Sequence, residues 1–268
     1  MSFDSMENRF LYLVRKSKIS EVDQYLKDGD VRFKNNPDLS AYTVMITIQN
    51  QDAEMMDFLL SNGADVASHP TEKQGGHLHQ TIFTHDEKLL RTLLKHHPPL
   101  HIKDSSGRTA MGCLLEDEKL AHRFSITPTF LKILLEAGSD PDQTLPDGHT
   151  VLTYACRHQQ QNIAGIILQY PCDIKHQDDA GQTALHYLVQ NKHFPADLVQ
   201  HMIERGLDPE TQNNKGQTVI DIVPPEHRAS FDKIWQQFAK NRRQNLIQKM
   251  PKHRQAMRLK RRSKGPAI

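Results

Sequence analysis

The chain has 268 residues, 37% hydrophobic and 25% charged but only 6% aromatic, a composition that suits a helical protein with much exposed surface. No run approaches the ~18 apolar residues of a membrane-spanning helix, the beginning MSFDSMENRF has neither a basic nor an apolar leader region, and three cysteines (Cys113, Cys156, Cys172) without a CxxC pair do not suit a disulfide framework, so a soluble protein of a reducing compartment is expected. The formal net charge of +2 conceals a division: residues 233–268 hold twelve Lys/Arg and no Asp/Glu, which leaves 22 basic against 32 acidic residues upstream and a body of −10.

In chain order, Phe10, Leu11, Leu13 and Val14 followed by Val22, Tyr25 and Leu26 predict an amphipathic helix pair. A five-residue frame then recurs. Its clear copies are GRTAM at 107–111, GHTVL at 148–152, GQTAL at 181–185 and GQTVI at 216–220, and weaker ones are AYTVM at 41–45 and QGGHL at 74–78. The frame position falls at 43, 76, 109, 150, 183 and 218, in steps of 33, 33, 41, 33 and 35. A second landmark keeps phase with it: YLKDGD at 25–30, LLSNGAD at 59–65, LLEAGSD at 134–140 and MIERGLD at 202–208, with LLKHHPP and ILQYPCD in the other units.

Each position has a physical task. Glycine before the frame Thr permits a turn with positive φ, and the Thr hydroxyl can cap the first free amides of the helix that follows. The apolar residue two places on (Met45, Leu78, Met111, Leu152, Leu185, Ile220) faces a second helix, whose Leu pairs close the core. Gly29, Gly63, Gly138 and Gly206 then suit a left-handed C-cap, a place taken by His97 and Pro171 in two units. The 41-residue step marks an insertion of about eight residues near Glu116–Ser125, ahead of a helix whose start is signalled by Thr127 and Pro128. Pro224 and Pro225 precede a closing helix with Phe231, Ile234, Trp235 and Phe238 on one face.

The 33-residue period and these two landmarks resemble the ankyrin repeat family, and Thr183, Ala184, Leu185, His186, Tyr187 and Leu188 are the nearest copy of its T-P-L-H-x-A signature. The likeness covers roughly residues 7–240. It implies an all-α ankyrin-repeat solenoid of helix-turn-helix units with β-hairpin fingers, about seven units including caps, near 7–35, 36–68, 69–103, 104–143, 144–176, 177–212 and 213–240. A domain 1–240 is thus expected, followed by a basic tail 241–268.

The family binds other proteins with its finger tips and the concave face of its first helices, without catalysis. By that resemblance the contacts would be Arg108, His149, Gln182 and Gln217 after the frame Gly, and Arg157, His158, Gln190 and Asn191 at the ends of first helices, with Asp147, Asp179 and Asn214 at finger tips. Tyr154 and Tyr187 would either form an aromatic strip on that face or pack between neighbouring units. The expected partner is a protein and the expected state a monomer. An intracellular adaptor or scaffold fits, and the irregular Gln/His/Lys-rich repeats also suit ankyrin-type effectors of intracellular bacteria, whose site of action would be host cytoplasm or nucleus.

No GxxxxGK[ST], GxGxxG, HExxH, GxSxG or kinase signature is present, so no catalytic residue and no cofactor are assigned. The sixteen histidines, His77/His79 and His96/His97/His101 among them, lack the spacing and CxxC partner of a zinc site; His79 and His186 fall at the signature His, which bonds neighbouring backbone in the family. Cys156 and Cys172 are expected to be buried and inert rather than nucleophilic.

After Gln248 the chain lacks apolar period and is expected to be disordered when free. Arg254, Arg258, Lys260, Arg261, Arg262 and Lys264 resemble a nuclear localisation signal; the alternatives are nucleic-acid phosphates, another acidic partner including the −10 body, or solvation alone. Without interleaved aromatics, any nucleic-acid binding there would be phosphate-driven and salt-sensitive.

Overall fold

A computed structural model describes residues 5–29, 31–67, 75–116 and 126–248. The insertion at 117–125 and the basic cluster from Arg254 to Lys264 lie outside the described residues. Two compact units are formed, one by the residues up to 155 together with 162–172, the other by 156–161 together with those from 173 onward.

The first unit holds α1 (Ser5–Arg15), α2 (Ile19–Lys27), a 3-10 turn at Phe33–Asn35, α3 (Pro37–Gln49), α4 (Ala53–Ser61), α5 (His77–Thr84), α6 (Glu87–Lys95), α7 (Ala110–Glu116) and α8 (Ile126–Glu136). First helices pack on first helices (α1 on α3, α3 on α5, α5 on α7), and α4 packs on α6 in the outer row. Between the rows lie Phe10, Val44, Met56, Leu59, Ile82, Leu90 and Leu134, all fully buried. Burying a side chain of this size stabilises by about 1.5–3 kcal/mol. Phe10 also meets Phe33 edge-on at 6.0 Å between ring centroids.

Helix α9 (Val151–Arg157) crosses the boundary of the units, and α10 (Gln161–Ile167) follows it. The second unit continues with α11 (Ala184–Val189), α12 (Ala196–Glu204), α13 (Val219–Ile222) and α14 (Pro225–Gln248). Here α11 packs on α12 and α13, and α12 packs on α14. Phe231 of α14 is fully buried, whereas Trp235 and Phe238 stack on each other at 5.7 Å and are half-buried. The helix runs on to Gln248, past residue 240 where the repeat domain was expected to end.

The frame threonines behave as caps where the copies are clear. Thr109, Thr150 and Thr218 accept from the amides of Gly112, Thr153 and Asp221 at 3.3, 3.3 and 3.2 Å, and the Asp221 carboxylate accepts the Thr218 amide at 2.9 Å. Thr43 is different: it lies within α3, buried, its hydroxyl donating to the Ser40 carbonyl at 2.8 Å. The cap of α3 is Asn36, followed by Pro37, and its side chain accepts from Leu39 N at 3.0 Å. AYTVM therefore belongs to the helix interior and does not open it. Second helices carry their own caps, Asp52 for α4 and Asp86 for α6, each at 3.0 Å.

Positive φ marks the frame glycines (Gly75, Gly107, Gly148, Gly181 and Gly216) and two further sites in the repeat. Gly29, Gly63, Gly138 and Gly206 take it after the second helix, and His97 takes it without glycine at +53°. The other site was not foreseen: Ser17, Gln51, His85 and Gln159 are left-handed at the turn between paired helices, the first three 34 residues apart. The repeat thus reaches back to the N-terminal pair, which has no Thr frame.

The expected β-hairpin fingers are closed almost wholly by tight turns. Among the described residues only isolated bridges, Thr144 with Thr150 and Gln212 with Thr218, show strand pairing.

Candidate interaction surface

The finger turns are built from one side chain outward. Asp104, Asp178 and Asn213 each stand three residues before a positive-φ glycine. The side-chain oxygen of each accepts two backbone amides, from Ser106 and Arg108 (2.9 and 3.0 Å), Ala180 and Gln182 (2.8 and 2.9 Å), and Lys215 and Gln217 (2.9 and 3.0 Å). The same residues close the turn by backbone bonds to Arg108, Gln182 and Gln217. Sequence reasoning missed these organisers, although an Asp or Asn three places ahead of Gly-x-Thr is an Asx-turn signal. Burial pushes the Asp104 carboxyl up, but the amide and guanidinium of Arg108, 2.8 Å away, outweigh it and hold it below the usual carboxylate value.

Consecutive turns are then stapled. In the second unit Asn214 N donates to Ala180 O (3.1 Å), Asn214 Nδ2 to Asp179 O (2.9 Å) and Gln177 Nε2 to Gln212 O (2.9 Å). The signature histidines do the same from the helices: His79 Nε2 lies 2.9 Å from Arg108 O, and His186 Nε2 lies 3.4 Å from Gln217 O. Each imidazole reaches the residue just before the next frame position. His186 Nδ1 faces Thr183 N and Oγ1 at 3.2 and 2.8 Å. It therefore accepts from the amide, so Nε2 bears the proton given to Gln217. Burial holds this imidazole below its ordinary value, against the pull of the Gln217 and Thr211 backbone and the Asp178 charge.

The predicted contact residues divide into three groups. Arg157, His158, Gln190 and Gln217 are exposed, as are the tips Asp147 and Asp179. Arg108 and Gln182 are half-buried, Arg108 being held by Asp104. His149 is a correction: its side chain is buried, with Nε2 3.5 Å from an Asp147 carboxylate oxygen, so the ring folds under its turn instead of facing outward. Asn191 is a second. It is 3% exposed, its carboxamide nitrogen lies 3.0 Å from Tyr187 O and 3.3 Å from Cys156 O, and its backbone carbonyl accepts from His227 at 3.0 Å; the side chain is turned onto the end of α11. Asn214 is exposed, but its amide is committed to the staple.

Tyr154 and Tyr187 are half-buried. The Tyr187 hydroxyl donates to the Asp178 carboxylate, so this ring braces a finger turn. Cys156 is buried, and burial pushes its thiol far up; Cys113 is buried with its thiol 3.3 Å from Asp104. Cys172, expected to be buried, is half-exposed. Among the described residues no three His, Cys, Asp or Glu groups converge as metal ligands, and no helix is long and apolar enough to cross a membrane.

The family model for ankyrin repeats, in three copies, matches residues 120–220. An ankyrin repeat protein of Fowlpox virus (strain NVSL) is 25% identical over 138 residues, covering 52% of this chain and 30% of its own length. A second, from Acanthamoeba polyphaga mimivirus, is 22% identical over 262 residues, covering 86% and 33%. The chain thus spans about a third of the length of these curated relatives. Among solved structures, the ankyrin repeat domain of Bcl-3, a member of the IkappaB protein family, aligns with a TM-score of 0.63 at 18% identity, over 85% of this chain and 97% of that one. At that identity the likeness is one of fold.

Proposed function

Because the chain is an ankyrin repeat protein, and such repeats are protein-interaction modules, we propose that it is an intracellular adaptor, cytoplasmic or nuclear, that binds a partner protein without turnover. One observation carries the placement of the contact. The frame Thr, the signature His and the turn Asp or Asn are buried or bonded within the scaffold, while Arg157, His158 and Gln190, at the ends of first helices, are exposed to solvent. Exposed side chains on a scaffold held in this way are the ones within reach of a partner.

The test is an affinity pulldown from lysate with the intact protein and with Arg157→Ala/His158→Ala/Gln190→Ala. Tyr187 is spared because its hydroxyl holds Asp178. A partner kept by the first and lost by the second, at unchanged circular dichroism, supports this placement. Identical partner lists would remove it.

A second reading rests on charge alone, +12 in residues 233–268 against −10 upstream. It makes the protein a nuclear or nucleic-acid-associated regulator. Deleting 249–268 should then abolish nuclear accumulation while partner binding survives; unchanged accumulation would sink it.

A further inference from the structure

The first unit carries an aromatic and cationic face that neither the frame nor the predicted contacts include. Tyr12 of α1 is 51% exposed, and the guanidinium of Arg9 and the ammonium of Lys16 lie 5.7 and 6.0 Å from its ring centroid. These residues stand at i, i+3 and i+7, one side of a helix. Two cations thus hold an exposed ring between them.

The row continues across neighbouring helices. Arg15, Gln49 and Phe83 each stand two residues before a left-handed turn residue, Ser17, Gln51 and His85, and so occupy one register position on α1, α3 and α5. All three are exposed, and Phe83 at 46% is, with Met6 and Tyr12, one of the large apolar side chains most open to water among the described residues. Since α1 packs on α3 and α3 on α5, Phe83 lies roughly 20 Å from the α1 end of the row, two interhelical steps.

Charge decides the kind of occupant. Residues 5–18 hold Arg9, Arg15, Lys16 and Lys18 against Glu7 alone, in a body that is otherwise acidic. Nearby carboxylates are engaged elsewhere: Glu7 accepts from Asn36 and Asp52 from the Ser17 hydroxyl, while Glu21 pairs with Lys18. Among the described residues no ion pair takes up Arg9, Arg15 or Lys16. We infer that this face binds an acidic protein segment, with carboxylates against Arg9, Arg15 and Lys16 and apolar side chains against Tyr12 and Phe83. Single-stranded nucleic acid fits less well, because one ring next to cations gives a single stacking platform and the second aromatic lies too far off for the next base. An extended chain of about six residues spans the 20 Å between anchors.

The inference rests on the adaptor function proposed above and names its partner's chemistry. Its probe is a fluorescein-labelled 15-residue peptide of Glu and Asp with two Leu six residues apart, followed by fluorescence anisotropy. Controls are the same peptide with Lys in place of the acids, and a dT 15-mer. Saturable binding of the acidic peptide is expected, weakened at least about tenfold by Tyr12→Ser and by Arg9→Gln/Lys16→Gln, less by Phe83→Gln, and weakened by raising salt from about 50 to 300 mM. All four positions are exposed, so the variants should fold; the salt series on the unaltered protein needs no variant. Absence of saturable binding, equal binding by the variants, or tighter variant-sensitive binding of the dT 15-mer would each overturn it. In the pulldown, loss of the partner on Arg157/His158/Gln190 substitution but full retention by Tyr12→Ser would overturn this inference and leave the adaptor function standing. Retention by both sets would remove the placement beneath it.

Discussion

Gly181 and Gly216 form a matched pair for testing the finger geometry. Both stand in the frame of the second unit with φ of +71° and +70°. A Cβ on Gly216 would meet nothing within 4 Å, so Gly216→Ala should cost only the left-handed penalty, about 1–2 kcal/mol. A Cβ on Gly181 would lie 2.4 Å from Asn214 Oδ1 and 2.7 Å from Asn214 N. The second of these is backbone and cannot swing aside, so Asn214 must retreat and forfeit its bonds to Ala180 O and Asp179 O. Each such bond contributes about 1 kcal/mol, which brings Gly181→Ala to about 3–4 kcal/mol. Urea denaturation followed at 222 nm would measure both, with midpoints compared at equal slope. Equal costs for the two variants would refute the staple between consecutive turns as a stabilising contact.

Acidification should weaken the second unit through His186. Its pKa is lowered from 6.5, so the neutral ring is stable in the fold while the unfolded chain takes up a proton; the contribution is present above about pH 6.5 and is lost as pH falls through the folded value. The urea midpoint should therefore drop between pH 7.5 and 5.5, and His186→Gln should flatten that drop. Native protein treated with a thiol reagent should modify Cys172 first, with Cys113 and Cys156 reacting only on unfolding; three equally fast thiols would contradict the burial. Asp57, held below 3.8 chiefly by His96 at 2.7 Å and then by Lys95, is largely solvated, so Asp57→Asn should cost well under about 1 kcal/mol by urea titration.

Much of the fold could be read from local chemistry. Gly-x-Thr needs a turn and a cap that only a few residues can supply, so the frames at 107, 148, 181 and 216 landed where expected, as did the C-cap glycines. AYTVM failed because Thr is equally at home bonding backward inside a helix, and the stronger start signal, Asn36 with Pro37, lay seven residues earlier. The candidate contacts were harder. His149 and Asn191 were placed outside by their positions in the repeat, but each has donors and acceptors that its own turn or helix end can engage, and position does not say which bond is made. The basic face of α1 escaped notice because its repeat relation is carried by left-handed backbone at Ser17, Gln51 and His85, residues of no common type.

That backbone register separates two kinds of inheritance. A residue two places before each left-handed turn can be Arg, Gln or Phe, as at 15, 49 and 83, without the turn changing. Drift at such places is invisible to folding and open to selection by partners alone. A lineage could therefore exchange one partner for another by rewriting these slots singly, and its members would keep a shape long after their sequences had ceased to look alike.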